Sequence, residues 1–370
     1  MKILFTCGGT AGHINPAVAL ARLFQERSGA EVLFVGAKGG MEERLVHKEG
    51  FALETVTISS FWRSVSPASI KHNLTTVRNL SVSRKEANRI LDDFQPDLVV
   101  GTGGYASYPV VHEAAKRGIP TAVHDSNAVP GLTTKRLAKV ADRVMVGYEA
   151  SRAHYQHPER VVVTGTPVRG DFFKLDRQQA RAALGITDDR PLVLSYWGSL
   201  GAEGMNQHMT EYLRLAAADG APFHHIHGAG RDFAAMTKAL DGENLPKDLE
   251  IREYIYDMPT VMQAADLVLC RGGASTLSEL TAIGKPAVIV PSPYVTNNHQ
   301  EKNANVLAQA GGAVVLLEPV CSGALLYKTT KELLADAPRR ERMAKAMADM
   351  GIPDAAEKIY ETLAELAKGE

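Results

Sequence analysis

Residues 267–279 read Leu-Val-Leu-Cys-Arg-Gly-Gly-Ala-Ser-Thr-Leu-Ser-Glu, and this stretch decides the fold. Residues 267–270 are a short apolar run of the buried-strand kind. Arg271-Gly272-Gly273 is a turn, and residues 274–283 have helix composition. Gly284 and Pro286 stop that helix, and residues 287–290 form the next strand. A strand that ends in glycines and feeds a helix gathers backbone N–H groups and the positive helix end at one point. A phosphate or a sugar hydroxyl is held there without a charged side chain. Glu279 lies about one and a half turns into the helix, facing the same mouth. Thr276-Leu-Ser-Glu279 also fits a capping box, and this stretch alone leaves cap and ligand contact evenly matched.

The same grammar recurs outward from it. Residues 191–197 are a strand, Gly198-Ser-Leu-Gly201 a turn, and a helix follows. Residues 223–227 run into Gly228-Ala-Gly230, and residues 249–253 and 313–317 supply further strands. Upstream, strand 2–7 meets the glycine turn Gly8-Gly-Thr-Ala-Gly12-His13, after which Asn15 and Pro16 suit N-cap and first helical position. Strand 31–36 comes next, then strand 97–100 with Gly101-Thr-Gly-Gly104-Tyr105. Strand 121–124 ends in Asp125-Ser-Asn127, and strands 144–147 and 161–164 complete that half. Thr164-Gly-Thr-Pro-Val-Arg169 is turn-rich and reads as a hinge, so two strand–glycine–helix domains stand in tandem with glycine-rich edges that can face each other. A nicotinamide-binding unit would carry G-x-G-x-x-G and an acid at the tip of its second strand. Here the spacing is G-G-x-x-G, and the second strand ends in Gly36-Ala-Lys38. His13 sits at the ligand-binding edge of such a sheet, where a cap or packing residue is the competing reading.

Composition sets the limits. At 370 residues, two domains are the default. A hydrophobic fraction of 45% and a charged fraction of 22% suit a soluble globular protein, and a net charge of -1 gives no reason to expect nucleic acid. Cys7, Cys270 and Cys321 lack metal-ligand spacing and read as buried thiols of a reducing cytosol. No signal peptide precedes the first strand and no apolar run is long enough to span a bilayer, so membrane contact is expected to be peripheral.

One segment departs from that average. Residues 55–85 contain no Asp or Glu but carry Arg63, Lys71, Arg78, Arg84 and Lys85 beside Phe61-Trp62. After Pro67 the pattern is helical, with Ile70, Leu74 and Val77 on one face and Lys71, Arg78 and Lys85 recurring every seven residues beside it. Apolar residues rimmed by cations suit anionic lipid, and a core helix with a solvated basic side is the alternative.

Taken in order, the Gly8–His13 turn, Gly101-Thr-Gly-Gly-Tyr105, His124 to Asn127, Gly165-Thr-Pro-Val-Arg169, Gly198-Ser-Leu-Gly-Ala202, Arg271 to Glu279 and His299-Gln-Glu-Lys-Asn303 resemble the MurG family along essentially the whole chain. The family comprises the N-acetylglucosaminyltransferases of bacterial cell-wall synthesis. The resemblance implies an α/β chain of two Rossmann-like domains facing across a cleft, the GT-B glycosyltransferase fold. The expected bounds are 1–165 for the acceptor and membrane side and 166–350 for the donor side, with a C-terminal helix in 351–370 that returns to the first domain. It implies inverting transfer of N-acetylglucosamine from UDP-N-acetylglucosamine to the muramyl sugar of lipid I, giving lipid II at the cytoplasmic face of the membrane. No cofactor or metal is expected, since no carboxylate cluster suggests one. The partners implied are the donor, lipid I and anionic inner-leaflet lipid.

The resemblance also implies residue roles. Ala274 and Ser275 offer the helix N-terminus, with Thr276, Leu277 and Ser278 in the same donor-binding run. Arg169 and Ser199 take the phosphate side, and Glu279 takes the ribose hydroxyls, as suits an acceptor with two oxygens. Ile255 lies against uracil, and Gln300 reads sugar hydroxyls. Thr10, Ala11, Gly12 and Asn127 close over the sugar. His13 becomes the candidate general base with Asp125 behind it, and Gly103, Gly104, Tyr105 and His124 line the acceptor side. The sequence departs from the family at His124-Asp125-Ser126-Asn127, where His-Glu-Gln-Asn is usual, and at Trp197, where a glycine is common. The rival readings are a diacylglycerol glycosyltransferase of the same fold and a UDP-N-acetylglucosamine 2-epimerase, which needs acid/base carboxylates and no lipid-facing patch.

Overall fold

The computed structural model describes residues 1–59, 66–198, 200–243 and 245–369, the side chains of residues 11, 67–75, 77 and 78 excepted. The chain forms two compact units, Met1–Pro167 with Asp354–Glu370, and Val168–Pro353.

The first unit is built on strands Lys2–Thr6 (β1), Glu31–Ala37 (β2), Ala52–Val56 (β3), Leu98–Gly101 (β4), Thr121–Asp125 (β5), Arg143–Val146 (β6) and Val161–Val163 (β7). They pair in parallel in the order β3-β2-β1-β4-β5-β6-β7, with Leu4 set between Leu33 and Val99. The second unit uses Leu192–Tyr196 (β8), His224–Gly228 (β9), Leu249–Arg252 (β10), Leu267–Cys270 (β11), Ala287–Ile289 (β12) and Ala313–Val315 (β13). Its order is β10-β9-β8-β11-β12-β13, again parallel, with Val268 between Leu194 and Ala287. Helices cover both faces of such sheets, so the central strands are buried throughout and read as unbroken apolar runs. Leu267, Val268, Leu269 and Cys270 are all fully buried. Truncating one of these leucines to alanine costs about 2–5 kcal/mol.

In both sheets the chain order reverses beside the first strand, between β1 and β4 and between β8 and β11. Loops that leave adjacent strands in opposite directions open a crevice at their carboxyl ends. The topology therefore sets residues 8–13 beside 101–105 in one unit, and 197–201 beside 271–273 in the other.

Several local expectations are corrected. The first helix is Ala11–Ser28, so Asn15 and Pro16 lie inside it instead of opening it. The N–H groups of His13 and Ile14 already close onto the Thr10 carbonyl at 3.0 and 3.3 Å, and Pro16 removes only one later bond from the ladder. The helix Ala274–Ala282 is N-capped by Gly273 with no side-chain cap bond, so Thr276 and Glu279 do not form a capping box. Strand β3 and the helix Met41–Lys48 add to the elements read from the sequence; β3 is an edge strand with alternate residues partly exposed. The helix Ala355–Lys368 packs on the Ala11–Ser28 helix. Ile359 and Leu363 are fully buried with Ile14 and Phe24, and the Phe24 and Tyr360 rings lie 4.5 Å apart.

Candidate active site

In the second unit the site grows from the Gly273 cap. Leu277 is the first residue whose N–H closes onto the preceding turn, on the Gly273 carbonyl at 3.0 Å. The N–H groups of Ala274, Ser275 and Thr276 lie ahead of it and have no partner within the helix. The side chains then divide by face. Leu277 is fully buried, and the Ser278 hydroxyl donates back to the Ala274 carbonyl at 2.9 Å. Glu279, further along, is partly buried, and its carboxylate forms no hydrogen bond or ion pair among the described residues. Burial pushes its carboxyl up to about 7, with the positive charge of Arg169 pulling the other way. Arg169 itself rests its guanidinium 5.7 Å from the Phe172 ring centre.

Close backbone approach shapes the surrounding loops. A Cβ on Gly272 would collide with the Gln300 carbonyl, and Asn303 donates to the Gly272 carbonyl at 3.2 Å. The Gln300 side-chain oxygen accepts the Ser292 N–H at 2.9 Å, which leaves its NH₂ as the free end. Ile255, 5% exposed, packs beside Gly228 at the end of β9, where a Cβ would stand 3.2 Å from its Cδ1. Gly230, at φ +63, has no room for a side chain against Leu200 and Gly201. Ser199, expected on the phosphate side, lies outside the described residues. Trp197, which stands where a glycine is common, is buried at 3% exposure, with the Arg271 guanidinium 5.9 Å from its ring. Arg271 in turn donates to the Val290 carbonyl and pairs with Glu318, so its charge is spent on holding the loop.

In the first unit two glycine loops interlock. His13 Nδ1 lies 2.8 Å from the Gly8 carbonyl, and the Thr10 hydroxyl is 3.4 Å from the same nitrogen. Thr102 donates to the His13 carbonyl at 2.7 Å. Gly103, at φ +113, lies flat against the imidazole, where a Cβ would come within 2.6 Å of Cδ2. A Cβ on Gly104 would collide with the Gly8 carbonyl, and Tyr105 flanks Gly9. Gly12 and Ala11 belong to the first turn of the helix, and the Ala11 side chain is outside the described residues.

His124 is fully buried, with Nε2 against the Gly165 carbonyl at 2.8 Å, and burial holds its imidazole below the usual range. Asp125 is 5% exposed and serves its own loop. It accepts the N–H and the side-chain amide of Asn127 at 3.0 and 3.1 Å, and the Gly131 N–H at 3.0 Å. Those bonds hold Asn127 at the mouth of the loop.

Phe61 and Trp62 lie outside the described residues, as do the side chains of Ile70, Lys71, Leu74, Val77 and Arg78. The backbone of residues 70–78 belongs to the long helix Pro67–Phe94. Lys85 is exposed on that helix, while Ala87, Ile90 and Leu91 further along are buried against the sheet. Among the described residues no helix is long and apolar enough to cross a membrane, and no cluster of His, Cys, Asp and Glu is arranged for a metal ion.

Sequence reasoning missed Glu42, a fully buried acid whose Oε1 accepts the Gly9 N–H at 2.9 Å. The available signal was an acid two residues after Gly39-Gly40, just past the carboxyl end of β2.

Residues 3–146 match the glycosyltransferase family 28 N-terminal domain and residues 193–359 the family 28 C-terminal domain. The chain is 40% identical over 372 residues to the UDP-N-acetylglucosamine–N-acetylmuramyl-(pentapeptide) pyrophosphoryl-undecaprenol N-acetylglucosamine transferase of Acetivibrio thermocellus, covering 100% of this chain and 99% of that one. It is 41% identical to the same-named protein of a Thermoanaerobacter species, over 98% of this chain and 99% of the other. Among solved structures, Acinetobacter baumannii MurG superposes with a TM-score of 0.78 at 25% identity, covering 98% of this chain and 99% of that chain. A Neisseria meningitidis UDP-GlcNAc 2-epimerase gives 0.64 at 16% identity, over 99% and 100% of the two chains, a likeness of fold alone.

Proposed function

The chain belongs to the MurG family, the pyrophosphoryl-undecaprenol N-acetylglucosamine transferases, and from that premise we propose how its residues share the reaction. It is a hexosyltransferase of GT-B fold that moves N-acetylglucosamine from UDP-N-acetylglucosamine to the muramyl sugar of lipid I, with inversion, giving lipid II for peptidoglycan synthesis. The donor is already activated. The protein has to hold a diphosphate leaving group and let a hydroxyl attack the opposite face of the anomeric carbon.

In our reading the donor belongs to the second unit. The orphan N–H groups of Ala274, Ser275 and Thr276 meet the diphosphate with Arg169 and Ser199, and the helix dipole adds to their pull. Glu279 accepts both ribose hydroxyls, Ile255 lies under the uracil, and the Gln300 NH₂ donates to the sugar. The observation that carries this reading is the unpaired Glu279 carboxylate. A group held in a costly environment without protein partners gains most from ligand hydroxyls. The first unit supplies Thr10, Ala11, Gly12 and Asn127 to the sugar and Gly103, Gly104, Tyr105 and His124 to the acceptor side. His13 takes the proton of the attacking hydroxyl as it adds to the anomeric carbon and UDP departs. The hydrogen bonds around Asp125 favour a loop-holding role over that of a second base.

The acid-free segment 55–85 is proposed to dock on anionic lipid of the inner leaflet, which puts the enzyme on the cytoplasmic face as a peripheral protein. The decisive assay supplies labelled UDP-N-acetylglucosamine with a lipid I analogue. Stoichiometric UDP release and transfer of label to the lipid are expected. Epimerised sugar nucleotide without labelled lipid would overturn the reading.

A further inference from the structure

Glu42 has no part in the donor and acceptor roles above, yet the first unit is built around it. It stands in the first turn of Met41–Lys48 and is fully buried. The slot that holds it is made of glycine. A Cβ on Gly8 or Gly40 would collide with its carboxylate, and one on Gly36 would come within 2.8 Å of its Cβ. Its Oε1 accepts the Gly9 N–H at 2.9 Å. The peptide that carries this N–H also carries the Gly8 carbonyl, and that carbonyl lies 2.8 Å from His13 Nδ1. A carbonyl oxygen has no proton to give, so Nδ1 is the protonated nitrogen of the neutral ring and Nε2 keeps its lone pair.

We propose that Glu42 is a positioning residue for the transfer reaction, acting on His13 through the Gly8–Gly9 peptide. Carboxylate, peptide and imidazole then form one hydrogen-bonded line that ends at Nε2. The inference rests on the reading of His13 as the group that accepts the proton of the attacking hydroxyl.

Two effects follow from this line. Gly9 sits at φ +83, and a glycine pair can turn its shared peptide over at little cost. A reversed peptide would present an N–H to His13 and drive the ring proton to the other nitrogen. The charge-assisted bond from Gly9 to Glu42 selects the productive orientation. Bonds in series also polarise one another, so negative charge at the N–H end makes the Gly8 carbonyl a better acceptor and Nε2 a better base. The other groups in this neighbourhood do not supply that charge. Cys7 and Tyr105 face Glu42, and burial raises both, which keeps them neutral. His124 faces His13 and is held low by burial, with the Asp125 carboxylate on its other side.

The test uses the full-length enzyme with ¹⁵N-labelled histidine. In the wild type, neutral His13 is expected as the Nδ1–H tautomer, a measurement that needs no variant. Glu42→Gln keeps size and one acceptor oxygen but removes the charge. It should populate the Nε2–H tautomer and reduce kcat on a lipid I analogue roughly 3- to 30-fold. KM for the donor should stay unchanged, and Glu42→Gln should add nothing further in a His13→Ala background. An Nε2–H tautomer in the wild type, or an unaltered His13 tautomer in the variant, overturns the proposal. An altered tautomer with an unaltered kcat removes His13 as the base, and Glu42's part in the reaction with it. Lipid II synthesis by the wild type is untouched by either result.

Discussion

Arg169 is the cation that acts on the Glu279 carboxylate, and the two form no ion pair. The acid is thus pulled toward ionisation from a distance while its oxygens stay open. A closed salt bridge would occupy the oxygens that a ribose needs, whereas an isolated buried acid would stay protonated and donate where it should accept.

Replacing Glu279 with alanine is expected to weaken UDP-N-acetylglucosamine binding by about 1.5–3 kcal/mol, the usual scale for hydrogen bonds to a charged group. Titration calorimetry measures this. A 2′,3′-dideoxy donor should bind the variant and the wild type about equally. Equal discrimination between donor and dideoxy donor by both proteins would remove Glu279 from the ribose.

The raised carboxyl gives donor binding a pH dependence. With a free-enzyme value of about 7, affinity should fall as pH drops through that value, because the protonated form loses acceptor capacity. Stability has the opposite dependence. A carboxyl whose folded pKa is raised burdens the folded state above the folded value, and the burden disappears below the unfolded value, about 4.3. Glu279→Gln should therefore raise the Tm of the ligand-free enzyme by a few degrees above pH 7 and by nothing near pH 4. Calorimetric scans at both pH values decide it. A Tm gain that is the same at both would contradict the assignment.

His13→Ala should lower turnover by roughly 100- to 10,000-fold while leaving donor affinity nearly unchanged. Single-turnover kinetics with a lipid I analogue separates the two quantities. Near-normal turnover would place the base elsewhere.

Lys71, Arg78 and Lys85 replaced together by Glu should reduce co-sedimentation with anionic vesicles and make the residual binding less sensitive to salt, each cation being worth about 1 kcal/mol near such a surface. Activity on a water-soluble acceptor should stay close to that of the wild type. Undiminished vesicle binding at low salt would return the segment to an ordinary helix with a solvated side.

Much of the frame was legible because central parallel strands are short apolar runs closed by glycines. Leu267–Cys270 has the bounds read from its sequence, and the helix after it begins at the expected Ala274. The first helix starts five residues before the position its sequence suggests, because Asn15-Pro16 carries a start signal while the actual start is a glycine turn held by Thr10. Strand β3 escaped because an edge strand with Glu54 and Thr55 has neither a continuous apolar run nor clean alternation. Spacing could put His13 and Glu279 on ligand-binding edges, but their roles came from resemblance. Glu42 was illegible for a different reason. Its slot is assembled from Gly36 in β2, Gly40 at the cap of the next helix and Gly8 in the turn after β1, and no local pattern records the meeting of Glu42 with that distant turn.

The return of helix Ala355–Lys368 to the first unit sets an order of events during synthesis. The ribosome delivers the whole β1–β7 sheet early, but the apolar groove around Ile14, Ala21 and Phe24 waits for Ile359, Leu363 and Leu366, which are made only after the second unit. Until then a nascent chain carries an open greasy seam while the second unit is being made, and exposed seams of this kind recruit chaperones or neighbouring chains. A stop codon just ahead of Ala355 would therefore damage the first unit and not the second. It would leave a finished second unit joined to a first unit that never closes.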